Sequence, residues 1–84
     1  MNVGDIFYNT QDEPSLPGVP PFKKGFYKVI SIRDSLLLRH LKPHQRRMYE
    51  IRRCTKNGGK LMKYHNDWCC TKLDAWLASG RLQQ

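Results

Sequence analysis

Four side chains in the second half of the chain have the chemistry to bind a metal or to act as a nucleophile: Cys54, His65, Cys69 and Cys70. A structural zinc site needs four such ligands in a tetrahedral arrangement, and the three residues between His65 and Cys69 give a workable spacing for two of them. The chain has no Cys-x2-Cys pair, however, and adjacent cysteines rarely bind one zinc together. We therefore expect no metal and no cofactor, with Cys69 packed in the core and Cys54 and Cys70 as reduced thiols.

A cysteine nucleophile would need a histidine base and a third group that orients the base. Cys70 is the best candidate, because it lies near the start of a predicted helix, where the pKa of a thiol can be lowered, and His65 and Asp67 are close in sequence. The chain has no glycine-rich oxyanion turn, and its acidic residues are scattered without the paired carboxylates of a glycosidase or a two-metal site. We predict that the protein is not an enzyme, with no catalytic residue and no small-molecule substrate.

The whole chain has a formal net charge of +8, and its positive charge is concentrated in the middle. Residues 1–22 carry three acids and no Lys or Arg, residues 23–63 carry thirteen basic residues against Asp34 and Glu50, and residues 64–84 are balanced. A basic segment of this kind favours nucleic acid, an anionic membrane surface or an acidic protein as a partner. Seven of its cations follow one another closely: Arg46, Arg47, Arg52, Arg53, Lys56, Lys60 and Lys63.

The elements that position these side chains are predicted from apolar periodicity and from turn residues. Five strands are expected: Val3–Tyr8, Gly25–Arg33, Leu36–Leu41, Arg47–Arg53 and Lys60–Tyr64. Asp34–Ser35 is expected to be a tight turn, and Pro43 ends the strand that follows it. Asn57–Gly58 predicts a type I′ hairpin turn, because both of its central positions need positive φ.

The proline-rich segment 9–24 separates the first two strands and is predicted to be a long loop, since its four prolines cannot donate to a β-ladder. Loops of this length in small domains are usually functional or disordered. The apolar residues Leu16, Val19 and Phe22 predict that part of the loop docks on the body of the protein. The same three residues are candidates for the apolar anchor of a protein partner.

A C-terminal helix is predicted over residues 68–79. Its apolar face is formed by four residues at positions i, i+4, i+7 and i+8: Cys69, Leu73, Trp76 and Leu77. Asp67 or Thr71 is expected to cap the first turn, and Gly80 is expected at the C′ position. Among the aromatic residues, Trp76 and Phe26 are predicted to lie in the core.

The predicted fold is mainly β with one C-terminal α-helix (α+β), in a single domain of residues 1–84. Five short strands cannot hide both faces as an open sheet, so residues 3–64 would form an SH3-like antiparallel barrel of about five strands, or the helix would cover one face. Three segments resemble the SH3-like small barrels: "VGDIFY", "FYKVISIRDSLLLRH" and "YEIRR" with "NGGKLMKY". The resemblance implies a closed small barrel that binds nucleic acid or protein. The short basic chain also resembles accessory proteins of bacteriophages, which commonly act by binding host machinery.

Two functions are compatible with these features. The first is a non-catalytic nucleic-acid-binding module, in which the seven cations contact phosphates with little sequence specificity. Tyr27 and Tyr49, which interleave with cations, would stack on bases, although the same tyrosines would serve equally well as a cover for the core. The alternative is a phage-type inhibitor or adaptor that docks its basic hairpin and proline-rich loop on an acidic or nucleic-acid-binding host protein. With either function the protein is expected in the cytoplasm, and in that of the host cell if a phage encodes it. We expect no membrane association, because no apolar run approaches the ~20 residues that span a bilayer.

Overall fold

The computed structural model of the chain describes residues 1–13, 17, 21–35, 39–42 and 45–84, with the backbone alone described at residue 64. Within these residues, five strands and one helix follow one another as β1 (Ile6–Asn9), β2 (Gly25–Asp34), β3 (Arg47–Cys54), β4 (Leu61–Cys69), α1 (Cys70–Ala78) and β5 (Leu82–Gln83). The prediction of a mainly β fold with one C-terminal helix is confirmed. No helix in the described part of the chain is long and apolar enough to cross a membrane.

The strands form one antiparallel sheet in the order β4-β3-β2-β1-β5. Within the described residues, β4 and β5 are the two edges and do not pair, so the predicted SH3-like barrel is not closed. Helix α1 makes closure unnecessary, because it leaves the β4 edge and packs on one face of the sheet before the chain reaches β5 at the opposite edge. We call the face covered by α1 the helix face and the other face the helix-free face.

The core lies between the helix face and α1. Nine buried residues form it: Phe7, Phe22, Tyr27, Val29, Tyr49, Ile51, Cys70, Leu73 and Leu82. Trp76 and Leu77 are partly buried against this cluster, so the predicted packing of the helix is confirmed for both and for Leu73. Phe26 is not in the core, because strand alternation places it on the opposite face from Tyr27.

Helix α1 begins at Cys70, directly after β4 and without a connecting loop. The predicted caps are wrong: Asp67 lies in β4, Thr71 lies inside the helix, and Cys69 is an N-cap without a side-chain hydrogen bond. The C-terminal end agrees with the prediction, since Gly80 has a φ of +85° and donates its N–H to the carbonyl of Leu77.

The predicted strand Leu36–Leu41 is wrong in its described part, because residues 39–41 form a turn and a bend; residues 36–38 lie outside the described residues. Strand β2 pairs instead with β3, which is farther along the chain. The β2–β3 pairing continues through Asp34 and Ser35, where a tight turn was predicted. Asp34 lies opposite Arg47, and the N–H of Ser35 donates to the carbonyl of Arg46 at 2.8 Å. An irregularity between Val29 and Ser31 shifts the register of this pair.

The β3–β4 hairpin is present, but its turn differs from the prediction. Residues 55–60 form a longer connection in which Thr55 donates to the carbonyl of Lys60 at 3.1 Å and Gly58 donates to the carbonyl of Thr55 at 2.8 Å. Asn57 does not have positive φ, whereas Gly58 has a φ of +73°. A two-residue type I′ turn is therefore excluded, because it would need positive φ at both residues.

The proline-rich segment is fastened to the sheet at its base. Glu13 and Phe22 form an antiparallel bridge, and the Asn9 side chain donates to the carbonyls of Phe22 and Lys23. Phe22 is only 1% exposed and contacts the rings of Tyr27 and Trp76. Docking of this segment on the body is thus confirmed at Phe22.

Candidate nucleic-acid interface

The seven cations singled out in the sequence do not lie along one ribbon. Arg46 and Arg47 are at the start of β3, whereas Arg52 and Arg53 are near its end and the three lysines follow in the hairpin connection and β4. Seven residue steps of strand separate Arg47 from Cys54, which is a distance of about 23 Å. Strand β3 therefore divides the predicted binding residues between two ends of the sheet.

Strand pairing adds three lysines to the hairpin end. Arg53 lies opposite Tyr27 and Arg52 opposite Lys28, so the start of β2 and the residues before it lie beside the end of β3. We call the resulting group the hairpin-end cations: Lys23, Lys24, Lys28, Arg52, Arg53, Lys56, Lys60 and Lys63. The sequence contained the three additional lysines in the same basic segment, but only the pairing of β2 with β3 brings them to the hairpin.

Two of these cations are held in place by backbone carbonyls. The guanidinium of Arg52 donates through Nε and Nη2 to the carbonyl of Met62, at 3.1 and 3.0 Å. The guanidinium of Arg53 donates through Nη2 to the carbonyl of Lys24 at 3.0 Å, which ties the hairpin to the start of β2. A carbonyl fixes the direction of a guanidinium without removing its charge, so both arginines remain positive groups at the surface.

The ion pairs of the described residues are formed by cations outside the hairpin-end group. Arg33 bridges Glu50 and Asp67, at 3.8 and 3.4 Å, and Arg81 pairs with Glu13 at 2.9 Å. Among the residues that the structure describes, none of the eight hairpin-end cations forms an ion pair. Asp12 is the acid placed beside them, where it accepts the backbone N–H of Lys24 at 2.8 Å. This end of the sheet thus carries a strong excess of positive charge.

The tyrosines proposed to stack on bases are buried. Tyr27 is 0% exposed and its hydroxyl donates to the carbonyl of Lys23 at 2.7 Å. Tyr49 is 4% exposed and its hydroxyl contacts Met1 and Asp74. Both belong to the core between the sheet and α1, so neither is available to a base. The side chain of Tyr64 lies outside the described residues.

A different aromatic pair occupies the helix-free face. Tyr8 of β1 lies opposite Phe26 of β2, with ring centroids 4.9 Å apart and an angle of 64° between the rings. Both residues are half-buried, and both lie at the hairpin end, two positions along their strands from the Ile6–Lys28 pair. The sequence analysis missed this pair because it assigned Phe26 to the core. Strand alternation already required the rings of Phe26 and Tyr27 to lie on opposite faces of the sheet.

The hairpin connection folds over the helix-free face toward β1. A Cβ added to Gly58 would lie 2.5 Å from Cδ1 of Ile6 and 3.8 Å from Cδ of Lys28. Cys54, at the end of β3, is buried there, and burial raises the pKa of its thiol while the ammonium of Lys28 lowers it. The connection therefore carries Lys56 and Lys60 close to the strand that bears Tyr8.

The three cysteines are free thiols, two of them buried. Cys70, and not Cys69 as predicted, belongs to the core, and burial raises the pKa of the Cys70 thiol, opposite to the shift that a nucleophile would need. No group of three or more His, Cys, Asp or Glu side chains in the described part of the chain is arranged to hold a metal ion.

The anchor proposed for a protein partner is not exposed as a unit. Phe22 is in the core, so it cannot enter a pocket of another protein without leaving its own, and Leu16 and Val19 lie outside the described residues. Comparison of the chain with known protein families, with curated proteins and with solved structures found no match. The resemblance to SH3-like and phage accessory proteins consequently stays a prediction, and the candidate interface is defined by geometry and charge alone.

Proposed function

We propose that the protein is a non-catalytic nucleic-acid-binding module whose contact surface is the hairpin-end cations together with the Tyr8–Phe26 pair. The observation that carries this proposal is the gathering of eight cations at one end of the sheet, with no ion pair to a described acid. Like charges repel in the compact state, so such a group costs stability unless a polyanion neutralises it. A phosphate backbone does so and releases its counterions on binding.

The aromatic pair favours a single strand over a duplex. Bases of a single strand can be splayed onto an aromatic ring, and each stacked base is worth about 1–3 kcal/mol, whereas the bases of a duplex are already stacked on one another. Phe26 and Tyr8 lie on the face over which the hairpin folds, so lysines and rings border the same surface. Because α1 is on the other face, the proposal does not involve insertion of a helix into the major groove.

Fluorescence anisotropy with labelled single-stranded DNA, single-stranded RNA and duplex DNA tests the proposal. The test variant replaces Lys56, Lys60 and Lys63 by glutamine. The control variant replaces Arg39, Lys42 and Arg47, which are exposed at the other end of the sheet, and so removes the same charge.

The parent is expected to bind single strands with a steep dependence on salt. For every phosphate that the test variant no longer neutralises, the slope of log K against log salt should become shallower by about 0.7. The control variant should bind nearly as the parent does. Equal weakening of the two variants would mean that net charge alone causes binding, and absence of binding by the parent at low salt would refute the function.

The rings are tested separately. Phe26→Leu keeps an apolar side chain on the helix-free face but removes the stacking surface, so it should weaken single-strand binding by about tenfold or more and leave duplex binding unchanged. Equal loss for both nucleic acids would show that the pair supports the fold and does not contact bases.

A further inference from the structure

Strand β4 is an edge of the sheet that carries exposed apolar and charged side chains. The strand pairs with β3 on one side, with a register shift between Leu61 and His65, and no described residue pairs with its other side. Leu61 is 38% exposed and Met62 is 40% exposed, which makes them two of the three exposed large hydrophobic residues of the described chain. An unpaired strand of this length, with apolar side chains exposed, is a template for another strand.

The charges of β4 are self-complementary in one register. Lys63, His65 and Asp67 are exposed and occupy alternate positions in β4. His65 and Asp67 lie opposite Arg52 and Glu50 on the helix-free face. Alternation places Lys63 on the same face, in the segment between Leu61 and His65 where the register with β3 shifts. In an antiparallel pair of two β4 strands related by a two-fold axis at His65, Lys63 of each chain lies directly opposite Asp67 of the other. Directly opposed opposite charges stabilise a strand pair, and directly opposed like charges destabilise it.

The same register pairs the apolar residues. Met62 lies opposite Trp68 of the second chain, and Leu61 lies opposite Cys69 of the second chain. Thioether and indole groups make favourable contacts, and the pairing shields the exposed Met62 from water. Moving the axis to Lys63 or to Asp67 would place two like charges opposite each other, so the charges favour the axis at His65 over both of these registers.

We propose that two copies of this chain associate through β4 in this register and form one continuous ten-stranded antiparallel sheet. The two-fold axis makes the same surface serve both chains, as in most closed dimers. The repulsion between the two hairpin connections, which carry Lys56 and Lys60, is small in this arrangement. The two hairpins lie at opposite ends of the paired strands, about 26 Å apart for eight residue steps, and the Debye length is ~8 Å at physiological salt.

The lysine on β4 does not protect this edge against its own copy. Natural edge strands use lysine to prevent pairing, because an incoming strand seldom offers a negative group at the required position. Here Asp67, which also pairs with Arg33 of its own chain at 3.4 Å, supplies that group through the two-fold axis. The edge is thus protected against unrelated strands and open to a second copy.

Sedimentation velocity of nuclease-treated protein, measured over a range of concentrations, tests the association. The variants Lys63→Glu and Asp67→Lys each place like charges opposite one another in the homodimer. Each is expected to raise the dimer Kd by about tenfold or more, since two pairs change sign. Lys56→Glu, in the hairpin connection, removes the same charge as Lys63→Glu and should dimerise like the parent.

Mixing the two single variants gives the decisive result. In a heterodimer of Lys63→Glu with Asp67→Lys, both opposed pairs are again of opposite sign, so the mixture should dimerise more tightly than either variant does alone. The chains in the mixture are the same folded chains as in the separate samples, so a folding defect cannot explain recovery. A monomeric parent at the highest soluble concentration, or a mixture that stays monomeric, would overturn the proposal and leave the edge to a strand of another protein.

Discussion

Gly58 gives the sharpest test of the arrangement in which the hairpin connection folds onto the helix-free face. Its φ of +73° is one that L side chains rarely adopt, and a Cβ at this position would lie 2.5 Å from Cδ1 and 3.3 Å from Cγ1 of Ile6. Gly58→Ala therefore has two costs, one from the backbone and one from a contact between segments that are far apart in the chain.

The two costs can be given approximate magnitudes. The left-handed conformation costs an alanine about 1–2 kcal/mol. The contact falls on the end of the Ile6 side chain, which can turn out of its preferred rotamer at a cost of about 0.5–1.5 kcal/mol. Gly58→Ala is thus expected to lower the free energy of unfolding by about 2–3 kcal/mol.

Two companion variants separate these costs. Gly4 has a φ of +92° and no atom within 4 Å of an added Cβ, so Gly4→Ala should lose about 1–2 kcal/mol from the backbone alone. Ile6→Val removes Cδ1, so Gly58→Ala should cost about 1 kcal/mol less in that background than in the parent.

Urea unfolding followed by the fluorescence of the two tryptophans measures the parent, the three single variants and the double variant. Independent substitutions add within about 0.3–0.5 kcal/mol, and the expected coupling exceeds that margin. If Gly58→Ala lowers the free energy of unfolding by the same amount in the parent and in the Ile6→Val background, the hairpin connection does not contact β1. The interface proposed above would then lose the proximity of its lysines to its aromatic pair.

Three other predictions test the core, the helix-free face and the thiols. Trp76→Ala should lower the free energy of urea unfolding by about 3 kcal/mol, because the indole is partly buried against the core. A variant as stable as the parent would show that the Trp76 side chain of α1 does not pack on the core. Arg33→Ala should cost about 1 kcal/mol, since it leaves Glu50 opposite Asp67 without a bridging cation, and adding Glu50→Gln should recover most of that loss. The raised pKa of Cys70 means that the folded state keeps a thiol proton that the unfolded state loses. Stability should therefore fall as pH rises above about 9, the ordinary pKa of the thiol, and Cys70→Ala should reduce the fall in Tm between pH 8 and pH 10.5; an unchanged profile would contradict it.

Local patterns in the sequence predicted several elements within one to three residues of their observed bounds. The apolar spacing of Leu73 and Trp76 predicted the helix, and the alternation of Tyr49 and Ile51 predicted which side of β3 is buried. The positive φ of Gly80 followed from its position after the last apolar residue of the helix. Each of these features depends on residues only a few positions away in the sequence, and hydrophobic periodicity reports on that range.

Strand partners could not be predicted in the same way. The segment after Asp34 was assigned to a local hairpin, yet β2 pairs with β3 across a connection of twelve residues. Both choices satisfy the alternation of β2 equally well, because alternation determines the faces of a strand and not its neighbour. The position of Lys23 and Lys24 beside the hairpin depends on that neighbour and was missed for the same reason.

The sequence by itself determined that this chain is small, strongly basic in its middle and built of strands followed by a helix. It also determined that Phe26 and Tyr27 point to opposite faces, since successive side chains of a strand do so. Only the tertiary structure decided that α1 covers Tyr27, that Phe22 fills the core, and that the cations gather at the hairpin end. Burial and charge clustering arise from contacts between segments that are distant in the chain. Those contacts depend on the order of the strands in the sheet and on which face of the sheet α1 covers.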